Sequence, residues 1–312
     1  MAHILLQLLL LVVGASLLCG GASYFVDGAA SLARRVGVSQ LVVGVTVVAL
    51  GTSLPEFFVS LVALIKGSSG ISVGNVVGSN ICNISLILGL SSLFGNLPCD
   101  RDAFRFEVPL MVLSAALMWL FASNGVVGRI EGAVFLLALA GFIYYFAFVV
   151  KRVPEEESVE LHRFPPVVSL VGGLAALLVG SEVFVRAAVE IARVLGVSET
   201  VIGLSLVALG TSLPELASSV AAVVKGKGDM AVGNVVGSNI LNILFIIGPL
   251  ALAKGVPVDP RLVSLDIPLM FLLSLYLLVI LKFKGGVGRI AGLSLLAVYI
   301  AYIVALYVRG RF

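Results

Sequence analysis

Shifted against itself by 159 residues, the chain lays Val48–Glu56 on Val207–Glu215 and Val73–Ile81 on Val232–Ile240, identical at every position of both nine-residue runs. The same offset pairs Gly37-Val38-Ser39 with Gly196-Val197-Ser198, and Glu107-Val108-Pro109-Leu110 with Asp266-Ile267-Pro268-Leu269. One extra residue in the second half then aligns Gly128-Arg129-Ile130 with Gly288-Arg289-Ile290. The repeat covers essentially the whole chain, so the fold must be two copies of one unit.

That unit belongs in a membrane. The sequence is 60% hydrophobic and 12% charged, and about 20 apolar residues suffice to cross a hydrocarbon core of about 30 Å. Polar and glycine-rich breaks mark ten spans, near residues 4–33, 40–65, 70–95, 106–123, 127–150, 166–192, 199–224, 229–253, 262–281 and 287–308. Each half holds five. Because five is odd, the second half enters the membrane from the opposite side, which makes the expected fold an all-α integral membrane protein of ten transmembrane helices in two inverted five-helix repeats. The organisation expected is a first half over 1–150, a charged cytoplasmic linker over 151–164 containing Pro154-Glu155-Glu156-Glu157, and a second half over 165–312. No Lys or Arg precedes Arg34, so the first stretch is expected to be a retained helix, not a signal peptide. Assigned to alternate sides, the loop lysines and arginines fall mainly on one side, which puts both termini outside a cell membrane.

Each copy of Gly-Thr-Ser-Leu-Pro-Glu sets one carboxylate, Glu56 or Glu215, in an apolar segment beside a proline. An ionisable group there costs several kcal/mol or so and must meet a partner, a water-lined cavity or an ion. Pro55 and Pro214 have no N–H for the carbonyl four residues earlier, so Gly51 and Gly210 are expected to offer free carbonyl oxygens at a helix break. Thr52 and Ser53 share a helix face with Glu56, as Thr211 and Ser212 do with Glu215. Oxygen ligands without neighbouring His or Cys suit Ca2+ or Na+. The second motif combines Gly74 and Gly78 with a polar stripe of Asn75, Ser79 and Asn83; its copy supplies Gly233, Gly237, Asn234, Ser238 and Asn242. Taken singly such glycines mean close helix packing and such polar groups mean interhelical hydrogen bonds. For the two glutamates the competing reading is a protonated carboxyl bonded within the bundle.

The remaining polar features carry less. Glu107 and Asp266 precede Pro109 and Pro268 and read as helix caps. Glu182 and Arg186 are spaced for an ion pair within one helix. Asp27 shows no partner in the sequence and is expected to face water. Cys19, Cys82 and Cys99 form no metal or disulfide pattern, and His3 and His162 form no catalytic one. No nucleophile–base or zinc arrangement appears at catalytic spacing, so an enzyme is not expected.

Two copies of Gly-Thr-Ser-Leu-Pro-Glu, each followed by Gly-Asn-x-x-Gly-Ser-Asn-Ile, resemble the α-repeats of the Ca2+:cation antiporter superfamily, and most closely the prokaryotic type of its sodium/calcium exchanger family. The proton-coupled branch carries a Glu where this chain has Gly78 and Gly237, which favours sodium. The resemblance implies a central Ca2+ site of Glu56 and Glu215 with the backbone oxygens of Thr52 and Thr211. One flanking Na+ site would use Ala49, Thr52, Ser53, Glu215 and Ser238, and its mirror image Ala208, Thr211, Ser212, Glu56 and Ser79. Asn83 and Asn242 would complete the middle. Members differ at position 242, some having Asp, notably the potassium-dependent ones, so Asn242 implies potassium-independent exchange.

The expectation is therefore a single-copy Na+/Ca2+ antiporter working by alternating access, with Ca2+ and Na+ as transported ions, no cofactor and no nucleic-acid partner. An H+/Ca2+ or other cation/Ca2+ exchanger is the alternative within transport. A cation channel is the alternative outside it, opposed by the inverted symmetry within one chain.

Overall fold

The computed structural model describes residues 2–99, 106–149, 165–196 and 208–309. The expected linker 151–164 and the first part of the seventh expected span, 199–207, lie outside them. The helices are α1 (Ala2–Val36), α2 (Gln40–Thr52), α3 (Leu54–Ile65), α4 (Gly70–Phe94), α5 (Glu107–Ala122), α6 (Arg129–Val149), α7 (Pro166–Val194), α8 (Ala208–Gly210), α9 (Leu213–Val224), α10 (Gly228–Lys254), α11 (Leu262–Lys284) and α12 (Arg289–Arg309). Four two-residue strands join them: β1 (Leu97–Pro98), β2 (Val126–Val127), β3 (Val256–Pro257) and β4 (Gly286–Val287). Among the described residues, seven helices are long and apolar enough to cross a membrane, and α2–α3 make an eighth as a pair bent by 43°. α5 and α9 are shorter apolar helices. This is an all-helical membrane protein.

Burial sorts the helices into a centre and a rim. The apolar stretches of α4 and α10 are 78% and 83% buried, against 22% and 28% for α1 and α7. Along α1, Leu5, Leu6, Leu9 and Val12 are exposed, and along α7 Val167, Val168 and Val171. Apolar side chains facing outward are what lipid contact requires. The second repeated motif thus sits on the two helices that protein covers most.

The α1–α7 pair shows the inversion directly. A Cβ on Gly14 would come within 2.6 Å of the Phe184 nitrogen, on Gly21 within 2.7 Å of the Leu177 nitrogen, and on Gly28 within 2.5 Å of the Leu170 nitrogen. From α7, Gly173 meets Phe25 and Gly180 meets Leu17 and Leu18 in the same way. As the number rises along α1 it falls along α7, so these two repeat-related helices run antiparallel. Glycine every seventh residue keeps one seam facing the partner, and without side chains the backbones touch. The strands agree: β1 pairs with β4 and β2 with β3, both antiparallel. β1 and its counterpart β3 therefore sit in different ladders, separated by α5, a helix about 24 Å long.

The second glycine face packs as the sequence leads one to expect in one copy. Gly233 lies against Leu41 and Val45, and a Cβ on Gly237 would reach 2.2 Å from the Val45 carbonyl oxygen. The segment that would face Gly74 and Gly78 by the same offset, residues 200–204, lies outside the described residues.

Three polar expectations meet different outcomes. Glu182 and Arg186 form the expected pair, 2.5 Å apart. Asp27 does not stand alone in water: Lys225 Nζ is 2.6 Å and Lys227 Nζ 3.3 Å from its carboxylate, and Lys225 also donates to the Ser23 carbonyl. These partners lie about two hundred residues away in sequence, beyond any local pattern. The repeat counterpart of Asp27 is Arg186, so α7 offers no carboxylate at the matching place for Lys66 in the α3–α4 turn. Finally, Glu107 lies in the first turn of α5 with its carboxylate against the backbone N–H groups of Phe106 and Glu107, whereas Asp266 lies inside α11, one turn past its start at Leu262. Asp266 accepts a hydrogen bond from Tyr302 on α12 instead, at 2.9 Å.

Adjacent glycines in α1 test the seam. Nothing lies within 4 Å of a Cβ on Gly20, so Gly20→Ala should leave thermal stability unchanged or raise it by up to about 1 kcal/mol through helix propensity. Gly21→Ala should lower it by about 1–3 kcal/mol by forcing the backbones apart. Melting of the two purified variants in detergent, followed by size-exclusion fluorescence, reads the difference.

Candidate cation site

The glutamates owe their position to the prolines beside them. Pro55 lacks the N–H that would continue the helix, so α2 stops at Thr52, Ser53 takes φ −82° and ψ 3°, and α3 restarts with Pro55 in its first turn. Ser212 repeats this at φ −89° and ψ 4°. Glu56 and Glu215 consequently occupy the first turns of α3 and α9. There the unpaired N–H groups favour a negative charge. Both carboxylates are fully buried, and they are near enough to feel each other.

Hydroxyls reach the carboxylates across the two halves. Ser212 Oγ donates to Glu56 Oε1 at 3.2 Å and Ser79 Oγ to the same oxygen at 3.4 Å. Ser53 Oγ donates to Glu215 Oε1 at 3.4 Å. Ser212 and Ser79 also meet each other at 3.3 Å. The Thr211 hydroxyl stands beside the Glu56 carboxylate without a hydrogen bond to it. The Thr52 hydroxyl bonds back to the Val48 carbonyl at 3.0 Å and contacts Asn234 Oδ1 at 3.3 Å. The Ala49 carbonyl accepts the Ser53 N–H at 3.0 Å, and Ala208 heads the short helix α8 before the second break.

A layer of amides holds the half-helices. Asn75 Nδ2 donates to the Glu56 carbonyl at 3.2 Å and to Ser60 Oγ at 3.0 Å. Asn234 Nδ2 does the equivalent with the Glu215 carbonyl at 3.4 Å, Ser218 at 3.2 Å and Ser219 at 2.9 Å. These residues belong to the polar stripe of the second motif, but their partners, the serines of the glutamate helices, could not be read from spacing. Two π turns, Asn83–Ile87 and Asn242–Ile247, begin at the two stripe asparagines, and a third, Gly44–Val48, precedes Ala49. Such wide turns frequently mark functional sites and carry no signature in residue type.

What sets this cluster apart is the set of oxygens left over. Glu56 Oε2, Glu215 Oε2, Asn83 Oδ1, Asn242 Oδ1, Thr211 Oγ1 and Ser238 Oγ are all buried without a hydrogen-bond partner. Leaving one buried polar group unpaired costs about 1–3 kcal/mol, and more for a charged one. Two of them belong to the carboxylates and four stand on neighbouring side chains, an arrangement that suits a cation. Among the described residues no group of three or more His, Cys, Asp or Glu could hold a metal, so the donors are two carboxylates plus neutral oxygens, a set for hard, weakly polarising ions. One soft group does stand nearby: Cys82 senses the charge of both carboxylates, a neighbour the sequence reading overlooked.

Comparison with known proteins agrees with the donor set. The family described as "Sodium/calcium exchanger protein" matches residues 6–148 and 166–308. The chain belongs to the sodium/calcium exchanger family. It is similar to the sodium/calcium exchanger MaX1 of Methanosarcina acetivorans, 32% identical over 97% of this chain and 99% of that protein. The inner membrane protein YrbG of Escherichia coli is 37% identical over 97% of both chains. A structure of the sodium-calcium exchanger NCX_Mj soaked with 10 mM Na+ and 10 mM Sr2+ superposes with a TM-score of 0.86 at 34% identity, covering 96% of this chain and 98% of that one. The protein is thus a multi-pass membrane cation/Ca2+ exchanger and not an enzyme.

Within this exchanger, one carbonyl expected to be a ligand has another use. Ser181 Oγ of α7 donates to the Gly210 carbonyl at 2.8 Å, so the oxygen that Pro214 frees ties the broken helix to the rim. The counterpart of Ser181 in the first half is Ala22, and Gly51 packs instead against Leu174 and Phe25. Ser181→Ala should cost about 1 kcal/mol in a thermal melt. Ser16→Ala, whose exposed hydroxyl only bonds back within α1, should cost nothing measurable.

Proposed function

We propose that this exchanger trades Na+ for Ca2+ by alternating access, with both ions competing for one buried set of oxygens. The observation that carries the reading is the cluster of unpartnered oxygens around Glu56 and Glu215. Ca2+ would sit between the two carboxylates with the backbone oxygens of Thr52 and Thr211. One Na+ would take Ala49, Thr52, Ser53, Glu215 and Ser238, and another Ala208, Thr211, Ser212, Glu56 and Ser79, with Asn83 and Asn242 in the middle. The sense of the hydroxyl contacts supports these sets, since Ser212 and Ser79 turn to Glu56 and Ser53 to Glu215.

Charge explains the exchange. Two carboxylates neutralise one Ca2+, and among the described residues no Lys or Arg pairs with either, so the site is costly to leave without cations. Na+ occupying the shared carboxylates lowers the affinity for Ca2+, and the reverse must hold equally. Asn in place of Asp at 242 keeps the formal charge at two, which fits independence from K+.

The test is uptake of radiolabelled Ca2+ into Na+-loaded proteoliposomes diluted into Na+-free buffer. Uptake should depend on internal Na+ and be indifferent to K+. Uptake driven by a pH gradient alone would replace Na+ with H+ as the coupling ion. Glu56→Gln and Glu215→Gln each remove one of the two charges and should each abolish uptake to below about one hundredth of the native rate, a loss of at least about 2.7 kcal/mol of stabilisation.

A further inference from the structure

Four asparagines cross between α4 and α10 beside the glutamates. Asn80 Nδ2 donates to the Asn239 carbonyl at 3.2 Å, and Asn239 Nδ2 to the Asn80 carbonyl at 3.3 Å. Asn83 Nδ2 donates to Asn239 Oδ1 at 3.0 Å, and Asn242 Nδ2 to Asn80 Oδ1 at 2.9 Å. All four side chains are at most 1% exposed. A backbone carbonyl can only accept, so the amide nitrogens of Asn80 and Asn239 must face it. Their oxygens then face Asn242 and Asn83, which must present nitrogen there. Turning any one amide round would set two acceptors or two donors against each other. The oxygens of Asn83 and Asn242 are thereby pointed away from the crossing, and they are the two that find no hydrogen-bond partner in the protein.

We infer that Asn80 and Asn239 are positioning residues: their crossed amides aim the oxygens of Asn83 and Asn242 into the cation cluster, each acting on the asparagine of the opposite half. The inference rests on the proposed ligand set but not on which ion is coupled to Ca2+. It also makes a hydrogen-bond donor obligatory at positions 83 and 242. An ionised aspartate at either would turn a second acceptor on the Asn80 or Asn239 oxygen, so the crossing keeps the site at the two charges of Glu56 and Glu215.

The pairing gives the test its signature. Equilibrium Ca2+ binding to the purified full chain in detergent, without Na+, is measured for Asn80→Ala, Asn242→Ala and the double variant, with thermal melts to verify folding. Asn80→Ala should weaken Ca2+ binding about tenfold or more, as loss of a group orienting a metal ligand does. The double variant should bind no worse than Asn242→Ala alone, because the oxygen that Asn80 aims is then gone. In contrast, Asn80→Ala combined with Asn83→Ala, its neighbour on the same helix, should multiply the two losses. Asn239→Ala with Asn83→Ala forms the mirror-image cycle, so one cycle decides if a variant of the other does not fold. Native affinity in Asn80→Ala alongside a loss in Asn242→Ala, or multiplied losses in their double variant, would overturn the positioning role. Native affinity in both Asn83→Ala and Asn242→Ala would overturn the ligand assignment, and the positioning role with it.

Discussion

Two carboxylates buried together in a membrane protein, with no basic partner among the described residues, impose the rest of this architecture. Such a pair is tolerable only if protons or cations supply the missing charge, and only if the surrounding oxygens stand in for the water that is lost. The helix breaks at Ser53 and Ser212 ease the burial by setting each glutamate at a helix N-terminus, where unpaired N–H groups favour its negative charge. The hydroxyls of Ser53, Ser79 and Ser212 meet the second demand. Irregular backbone at this depth survives because α4 and α10 shield it from lipid.

The same symmetry that brings the acids together divides labour between core and rim. The core is cross-braced by amides: Asn75 and Asn234 hold the glutamate helices, and Asn80 and Asn239 bind α4 to α10. Along the α1–α7 seam, by contrast, glycines let the two backbones touch. Contacts of that kind are shape-dependent but not directional, unlike the amide bonds of the centre. Two asymmetric ties qualify the symmetry, the Asp27 ion pairs on one side and the Ser181 hydrogen bond on the other. The two halves are related in fold but not equivalent in how firmly the rim is attached.

Much of the site was legible because the duplication prints it twice. Glu56 and Glu215, the hydroxyls before them and the proline breaks all stand in the identical runs, and burial of charge is readable from hydropathy alone. The residues missed share a physical reason. Asn80 and Asn239 lie in the second identical run, yet their task depends on reaching a carbonyl on the opposite helix, and no spacing along one helix reveals that. The partners of Asp27, the use of the Gly210 carbonyl and the nearness of Cys82 likewise arise only when distant segments meet. The capping role expected of Asp266 gave way because its helix starts earlier, at Leu262, and Tyr302 reaches its carboxylate across the bundle.

The amino-acid sequence by itself determined that this chain crosses a membrane repeatedly, that its two halves are one unit used twice, and that an acid sits at a broken helix in each. Those conclusions follow from local chemistry: apolar length, a proline without its N–H, and an odd number of spans. Tertiary structure alone decided which oxygens face the acids, which are spent on holding helices, and which remain for a cation. A hydrogen-bonding group commits its lone pairs to whatever lies within about 3 Å, and that neighbour is chosen by the packing of the two halves.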